Sequence, residues 1–379
     1  MNDFNFNQVW WENVSGPRAF LEKALDALHS KNSLALRLPA DMPCRDEFRS
    51  NVTNSADGYH ISIIDVCDSF GNRTIEEYFL EELSCDQGGN YRGEDFFEYY
   101  RAHCLPTNTV FWFKGIPQEK QQDFYDFCKK YMKKGRSELP LLAFEITADL
   151  KLENLKSVEY LDWFDYVTPY DSLEYGFLTV SQIKSLTSFQ KNYVANVCAE
   201  VFGYDVEIFT EALTDDTLRE GILNGNFETV LATLADEYPR RGEKQAQRSD
   251  DRQHVLYLYR NGKREEIDRK IWRAQLNVFY PAIELFRAEF IAKWKTELQA
   301  QLERCEYFHN VDGEKVRLVQ ASEIEINQLR IISSDCGLLD EKQFNEMVVY
   351  RDTRNCLAHL SRLPSELLQK LWASPLNKK

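Results

Sequence analysis

The sequence predicts an α/β domain built on a mainly parallel sheet, with a helical extension, followed by an all-helical bundle. Three observations carry this. Short apolar runs alternate with amphipathic helical stretches over the first 150 residues, which is the pattern of βαβ units. From about residue 151 the apolar spacing turns to the helical period. A polar stretch at 240–253, RRGEKQAQRSDDRQ, has no apolar periodicity and separates the two halves. The expected organisation is an α/β domain over 1–150, a helical subdomain over 151–239, a linker at 240–253 and a bundle over 254–379. A chain of 379 residues is long enough for two or three domains.

The elements follow in order. GPRAFLEKALDALHSK places Phe20, Leu21, Ala24, Leu25 and Leu28 on one helical face, with Pro17 in the first turn, where proline is tolerated. SLALRLP is a strand closed by Pro39, and GYHISIIDVCD a second through Ile61, Ile63 and Ile64. IEEYFLEEL is helical, TNTVFWFKGIP is a third strand, QQDFYDFCKKYMKKG is a helix stopped at Gly135, and LPLLAFEIT is a fourth strand. Beyond these, SLTSFQKNYVANVCAEVFG carries a stripe through Phe189, Tyr193, Val197 and Val201, and VEIFTEAL and FETVLATLADEY continue as helices. After the polar stretch, HVLYLYRNGKREE reads as a short strand-like run with an Asn-Gly turn. A long helix is expected from 271 to about 302, with Trp272, Leu276, Phe279, Ile283, Phe286, Phe290 and Trp294 as its stripe and a kink or interruption at Pro281. SEIEINQLRII, EKQFNEMVVYRDTRNCLAHL and SELLQKLWAS complete the bundle.

Composition narrows the function classes. Hydrophobic residues at 43% supply real cores. Sixty-one acidic residues against 46 basic ones give a net charge of -15, which opposes broad coating of a polyanion but leaves a local basic cleft open. The N-terminal residues lack the basic and apolar segments of a secretory signal, and no run of about 18 apolar residues exists, so no membrane contact is expected. Nine dispersed cysteines without a CxxC pair read as reduced thiols in a cytoplasmic protein, with no metal site.

The α/β layer lacks the phosphate loop GxxxxGK[ST]; GGNYRG at 88–93 is not flanked by strand and helix in the required order. Asp65 follows an apolar strand, as a metal-holding aspartate of an ATPase would, but without a glycine-rich turn and its lysine no nucleotide cofactor is expected. The acidic stretches IEEYFLEEL and DWFDY read as solvated faces or caps, and EIEI as a half-buried surface.

The chemistry concentrates in RDTRNCLAHL, 351–360. On a helix, Arg351, Asn355 and His359 share a face at i, i+4, i+8, Arg362 extends it, and Arg354 lies to one side. Cleavage of RNA by its own 2′-hydroxyl needs a proton acceptor, a proton donor and positive charge on the phosphate. Histidine serves the first two and arginine the third, with no metal. A polar stripe paired to local acids, Arg351 with Asp352 for example, is the plain structural alternative.

R-N-x-x-x-H, spelled by Arg354, Asn355 and His359 within a C-terminal helical bundle, resembles the signature of HEPN domains, and the resemblance covers about 268–374. It implies a dimeric bundle and a metal-independent endoribonuclease of toxin–antitoxin or antiviral (phage-defence) type. Arg354 and His359 would be the catalytic pair and Asn355 the orienting residue, with Arg351 and Arg362 on the RNA phosphates. Glu284 or Arg287 would lend support from an earlier helix. RNA, a second copy of the chain and a regulatory protein are the implied partners. Some HEPN domains act only in dimerisation or scaffolding, which is the alternative. The N-terminal part faintly resembles a P-loop ATPase-like domain that has lost its loop, and by that resemblance it would restrain or trigger the bundle.

Overall fold

The computed structural model describes residues 5–66, 70–71, 73–83, 89–103, 108–134, 140–147, 157–243, 253–304, 308–309 and 315–378. Five strands, β1 (Ser33–Arg37), β2 (His60–Asp65), β3 (Thr109–Lys114), β4 (Leu141–Ile146) and β5 (Val158–Asp162), form one parallel sheet in the order β2-β3-β4-β1-β5. The early helices are α1 (Phe6–Glu12), α2 (Ser15–His29), α3 (Arg45–Ser55), α4 (Ile75–Glu82), α5 (Phe96–His103), α6 (Gln121–Lys134) and α7 (Trp163–Tyr166). Then come α8 (Pro169–Val180), α9 (Ser188–Phe202), α10 (Val206–Thr214), α11 (Asp216–Leu223), α12 (Phe227–Glu237) and α13 (Val255–Arg260). The last are α14 (Arg264–Lys293), α15 (Lys295–Arg304), α16 (Ile326–Asp335), α17 (Glu341–Ala358) and α18 (Ser365–Ala373), with a small antiparallel pair β6 (Phe308–His309) and β7 (Lys315–Val316).

The chain divides into two compact units. One comprises 1–175, 204–207 and 242–253, and the other 176–203, 208–241 and 254–379. The helices expected to form a subdomain over 151–239 thus group chiefly with the C-terminal helices. Most of the expected linker, 244–252, lies outside the described residues, as do Gly135, Cys67, Cys85, Cys104 and Cys305.

In the first unit the four expected strands are present, and parallel. The inner strands β1 and β4 are buried along their whole length, which is why they read as continuous apolar runs. On edge strand β2 only Ile61 and Ile64 are buried, and Ile63 is exposed. β5 corrects the mostly helical reading of residues after 150: VEYLD pairs with β1 in parallel, Leu36 opposite Leu161. Five residues with acids interspersed are too few to separate a strand period from a helical one. Neighbours on β3 show the layering. Trp112 packs on Phe48 of α3 (5.8 Å) and Phe113 on Phe79 of α4 (4.6 Å), so successive side chains serve opposite faces.

Charge is buried at this layer as well. Arg49 of α3 holds Glu145 of β4 through two hydrogen bonds of 2.7 and 2.8 Å, and the Trp112 indole donates to the same carboxylate at 2.9 Å. The pair raises the Arg49 guanidinium pKa against the opposing pull of burial. Arg37 at the end of β1 pairs with Asp162 at the end of β5, 3.0 Å apart and also buried.

In the second unit HVLYLYR is helix α13, not a strand. His254 caps it, its Nδ1 accepting from the Leu256 amide at 3.2 Å. The Asn-Gly pair is its stop: Gly262 has φ +67°, and the Lys263 amide reaches back to Leu258, closing a helix end rather than a hairpin. The long helix begins at Arg264, runs through Pro281 unbroken, and is interrupted at Trp294. Its buried face includes Ile267, Ile271, Ala274, Val278, Phe279 and Ile283, rotated from the expected stripe.

Removing one half of the Arg49–Glu145 pair strands a buried charge. Glu145→Ala is expected to lower unfolding free energy by about 3–5 kcal/mol, and the double change Arg49→Met/Glu145→Leu to recover most of it, as read by chemical denaturation.

Candidate functional site at the C-terminal end of α17

α17 opens with a capping box in which Asp340 accepts from the Gln343 amide at 2.7 Å. Met347, Tyr350, Thr353 and Leu357 form its buried face. Arg351, Arg354 and Asn355 lie half-buried beside it. The helix stops at Ala358, one residue before the histidine. His359 is the C-cap (φ −90°, ψ 20°), and Leu360 adopts a left-handed φ of +57°. The Leu360 amide donates to the Leu357 carbonyl and the Ser361 amide to that of Cys356, a Schellman closure with leucine where glycine is usual. The expected i, i+4, i+8 stripe therefore ends at its third member, which sits on the turn, exposed.

The turn is held from α14. The Trp272 indole donates to the Leu357 carbonyl at 2.8 Å. The Gln275 carbonyl oxygen accepts from the Leu363 amide at 2.7 Å, while its amide donates to the Tyr193 hydroxyl at 3.3 Å. Arg362 pairs with Asp268 at 3.0 Å. Asp268, Trp272 and Gln275 recur at i, i+4, i+7, one face of a helix, and that spacing was the available signal for residues that motif reading missed.

The other arginines are paired too. Arg351 gives two hydrogen bonds to Asp352 Oδ1, at 2.9 and 2.6 Å, the plain alternative raised by the sequence. Arg354 lies 3.4 Å from Glu325. Among the described residues no contact joins Arg354 to His359, and the Asn355 and His359 side chains make no hydrogen bond.

Glu284 and Arg287 are not beside His359. Arg287 bonds Glu284 at 2.8 Å and donates to the carbonyls of Ser322 and Ile324. Fifteen residues of helix separate Arg287 from Trp272, roughly 22 Å. Their bearing on the motif is indirect, through the segment that presents Glu325 to Arg354.

In the first unit, the β1–α3 connection has no glycine. Cys44 caps α3 in the left-handed region, and its amide donates to the Glu207 carboxylate at 2.8 Å. The chain's own carboxylate thus meets the helix N-terminus, where a phosphate loop would present its amides to phosphate. Asp65 pairs with Lys114 at 3.3 Å. Among the described residues no group of histidine, cysteine or acidic side chains is arranged to hold a metal, and Cys44, Cys128, Cys198, Cys336 and Cys356 are not joined in disulfides. No described helix is long and apolar enough to cross a membrane.

No protein-family model matches this sequence. No curated protein matches it either. Among solved structures, that of the Aeropyrum pernix ORC1 protein in complex with DNA is similar at a TM-score of 0.32 and 13% identity, over 86% of this chain and 87% of that one.

Leu360 is 71% exposed, so its side chain contributes little packing to offset its backbone strain. Leu360→Gly is expected to raise stability by about 1 kcal/mol, seen as a higher denaturation midpoint. A lower midpoint would mean that the leucine side chain has a packing role.

Proposed function

We propose that this chain is a metal-independent endoribonuclease effector, of the toxin or phage-defence kind, acting in the cytoplasm as a dimer of HEPN-like bundles with the α/β unit as restraint or trigger. The observation that supports it best is the end of α17. His359 is exposed on a turn anchored by Trp272 and Gln275, with its ring uncommitted. The Asn355 amide is one turn back and equally uncommitted, and Arg354 precedes it. His359 takes and returns the proton, Arg354 neutralises the phosphate, and Asn355 orients the ring; Arg351 and Arg362 hold flanking phosphates. The arginine–carboxylate pairs are partly exposed contacts, each worth about 0–1 kcal/mol, so a phosphate can displace them. A second copy of the bundle brings the second histidine to the cleft.

The pairing of Arg351, Arg354 and Arg362 with acids also favours a second reading, a non-catalytic dimerisation or scaffold module in a larger complex. Purified protein with RNA in EDTA separates the two. The ribonuclease yields ends with a 2′,3′-cyclic phosphate and a 5′-hydroxyl, and His359→Ala lowers the rate by about 100-fold or more. Equal cleavage by the variant, or none by the wild type under any activating condition, rejects the mechanism. Arg354→Ala changing oligomer mass while no RNA is cut supports the scaffold.

A further inference from the structure

The arginines of the motif helix and its turn each face a carboxylate. Arg330, on the neighbouring helix, does not. α16 packs against α17, and the half-buried Arg330 lays its guanidinium over the Phe344 ring of α17, 5.1 Å from the centroid. Among the described residues it makes no hydrogen bond and no ion pair, and its buried Nε is an unmet donor. A ring face holds the plane of an arginine but satisfies none of its N–H donors. Burial lowers the Arg330 pKa and the nearby Arg351 lowers it further, while Asp352 raises it. That carboxylate is already taken: Arg351 gives it two hydrogen bonds, both to Oδ1. Two guanidiniums thus share one carboxylate, which leaves a local positive excess on a chain of net charge -15. Like charges side by side and an unmet buried donor each cost free energy, and such costs gather at binding sites.

We propose that Arg330 and Arg351 together bind a phosphodiester of single-stranded RNA, at a phosphate removed from the one that is cut. A phosphodiester supplies the missing negative charge, and its free oxygens accept from both guanidinium forks. The position is continuous with the motif. Phe344, Arg351 and Asn355 recur at i, i+7, i+11 and form one row of α17 that leads to the His359 turn. Eight residues separate Arg351 from His359, roughly 12 Å of helix, and helix side chains lean toward the N-terminus, so the two hold different phosphates. Arg330 widens the Arg351 contact into a clamp between two helices. The place on an RNA strand rests on the ribonuclease reading; binding of the phosphodiester does not.

Fluorescence anisotropy of a labelled 2′-O-methyl RNA with the full chain, over a range of salt, tests this without cleavage, because that RNA lacks the attacking hydroxyl. Arg330→Gln is expected to weaken binding about tenfold. It should also lower the slope of log affinity against log salt by about 0.7, one phosphate contact on a single strand. Arg330→Lys keeps the charge and should keep the slope while losing affinity. Asp352→Asn, which releases Arg351, should tighten binding. No binding by the wild type, weaker binding by Asp352→Asn, or affinity and slope unmoved in Arg330→Gln overturns the proposal. So does a lower denaturation midpoint in Arg330→Gln and Arg330→Lys alike with the slope unmoved, which would make Arg330 a brace for Phe344. Binding that depends on Arg330 in a protein that never cuts RNA retains the clamp and rejects the ribonuclease reading. Cleavage of unmodified RNA by the wild type and by Arg330→Gln with equal KM does the reverse.

Discussion

A single buried amide fixes the candidate site. Gln275 has no exposed surface, and an amide in that position costs free energy unless both ends are bonded. Its oxygen takes the Leu363 amide, beyond the end of α17, and its nitrogen bonds Tyr193 of α9. Tyr193 in turn packs against Phe279 of α14 and Trp372 of α18, at 5.5 and 5.1 Å. The turn that exposes His359 is thus tied into the aromatic core of its unit, and the Trp272 bond to the Leu357 carbonyl adds a second tie one helical turn away. A residue on a loop gains the positional definition of a helix by this route, which any proton transfer at His359 requires.

The charge pattern has a matching logic. The chain carries -15 overall, and each arginine near the motif already faces a carboxylate: Arg351 with Asp352, Arg354 with Glu325, Arg362 with Asp268. Such pairs hold long cations in place without strong commitment, because partial exposure screens them. Deeply buried pairs behave differently. Arg49–Glu145 and Arg37–Asp162 lie inside the sheet unit, where removing one partner leaves the other charge buried and is costly. The distinction separates groups that an incoming phosphate can claim from groups it cannot.

The four strands β1 to β4 were legible because buried parallel strands leave continuous apolar runs bounded by proline, glycine and polar turns. β5 was not, since two of its five residues are acidic and its partner β1 lies more than a hundred residues earlier. HVLYLYR misled because a six-residue helix covered on one side carries the same aromatic and β-branched residues as a strand. Its Asn-Gly pair closes a helix as readily as a hairpin. At the site, the residue types of RDTRNCLAHL were legible but the stop at Ala358 was hidden, because leucine rather than glycine takes the left-handed position. Which part of a 30-residue helix faces the motif depends on packing that the sequence does not spell out, so Glu284 and Arg287 lie further along α14 than the residues that hold the turn, although the spacing of Asp268, Trp272 and Gln275 was there to be read.

The anchoring of the His359 turn through Gln275 is the claim on which the site depends, and hydrogen exchange at the Leu363 amide reads it directly. In the wild type that amide should exchange slowly, with the protection of the buried core. In Gln275→Ala it should lose protection by tenfold or more, while amides in the middle of α17 keep theirs. Unchanged protection of Leu363 in the variant, or a fast Leu363 amide in the wild type, would contradict the account.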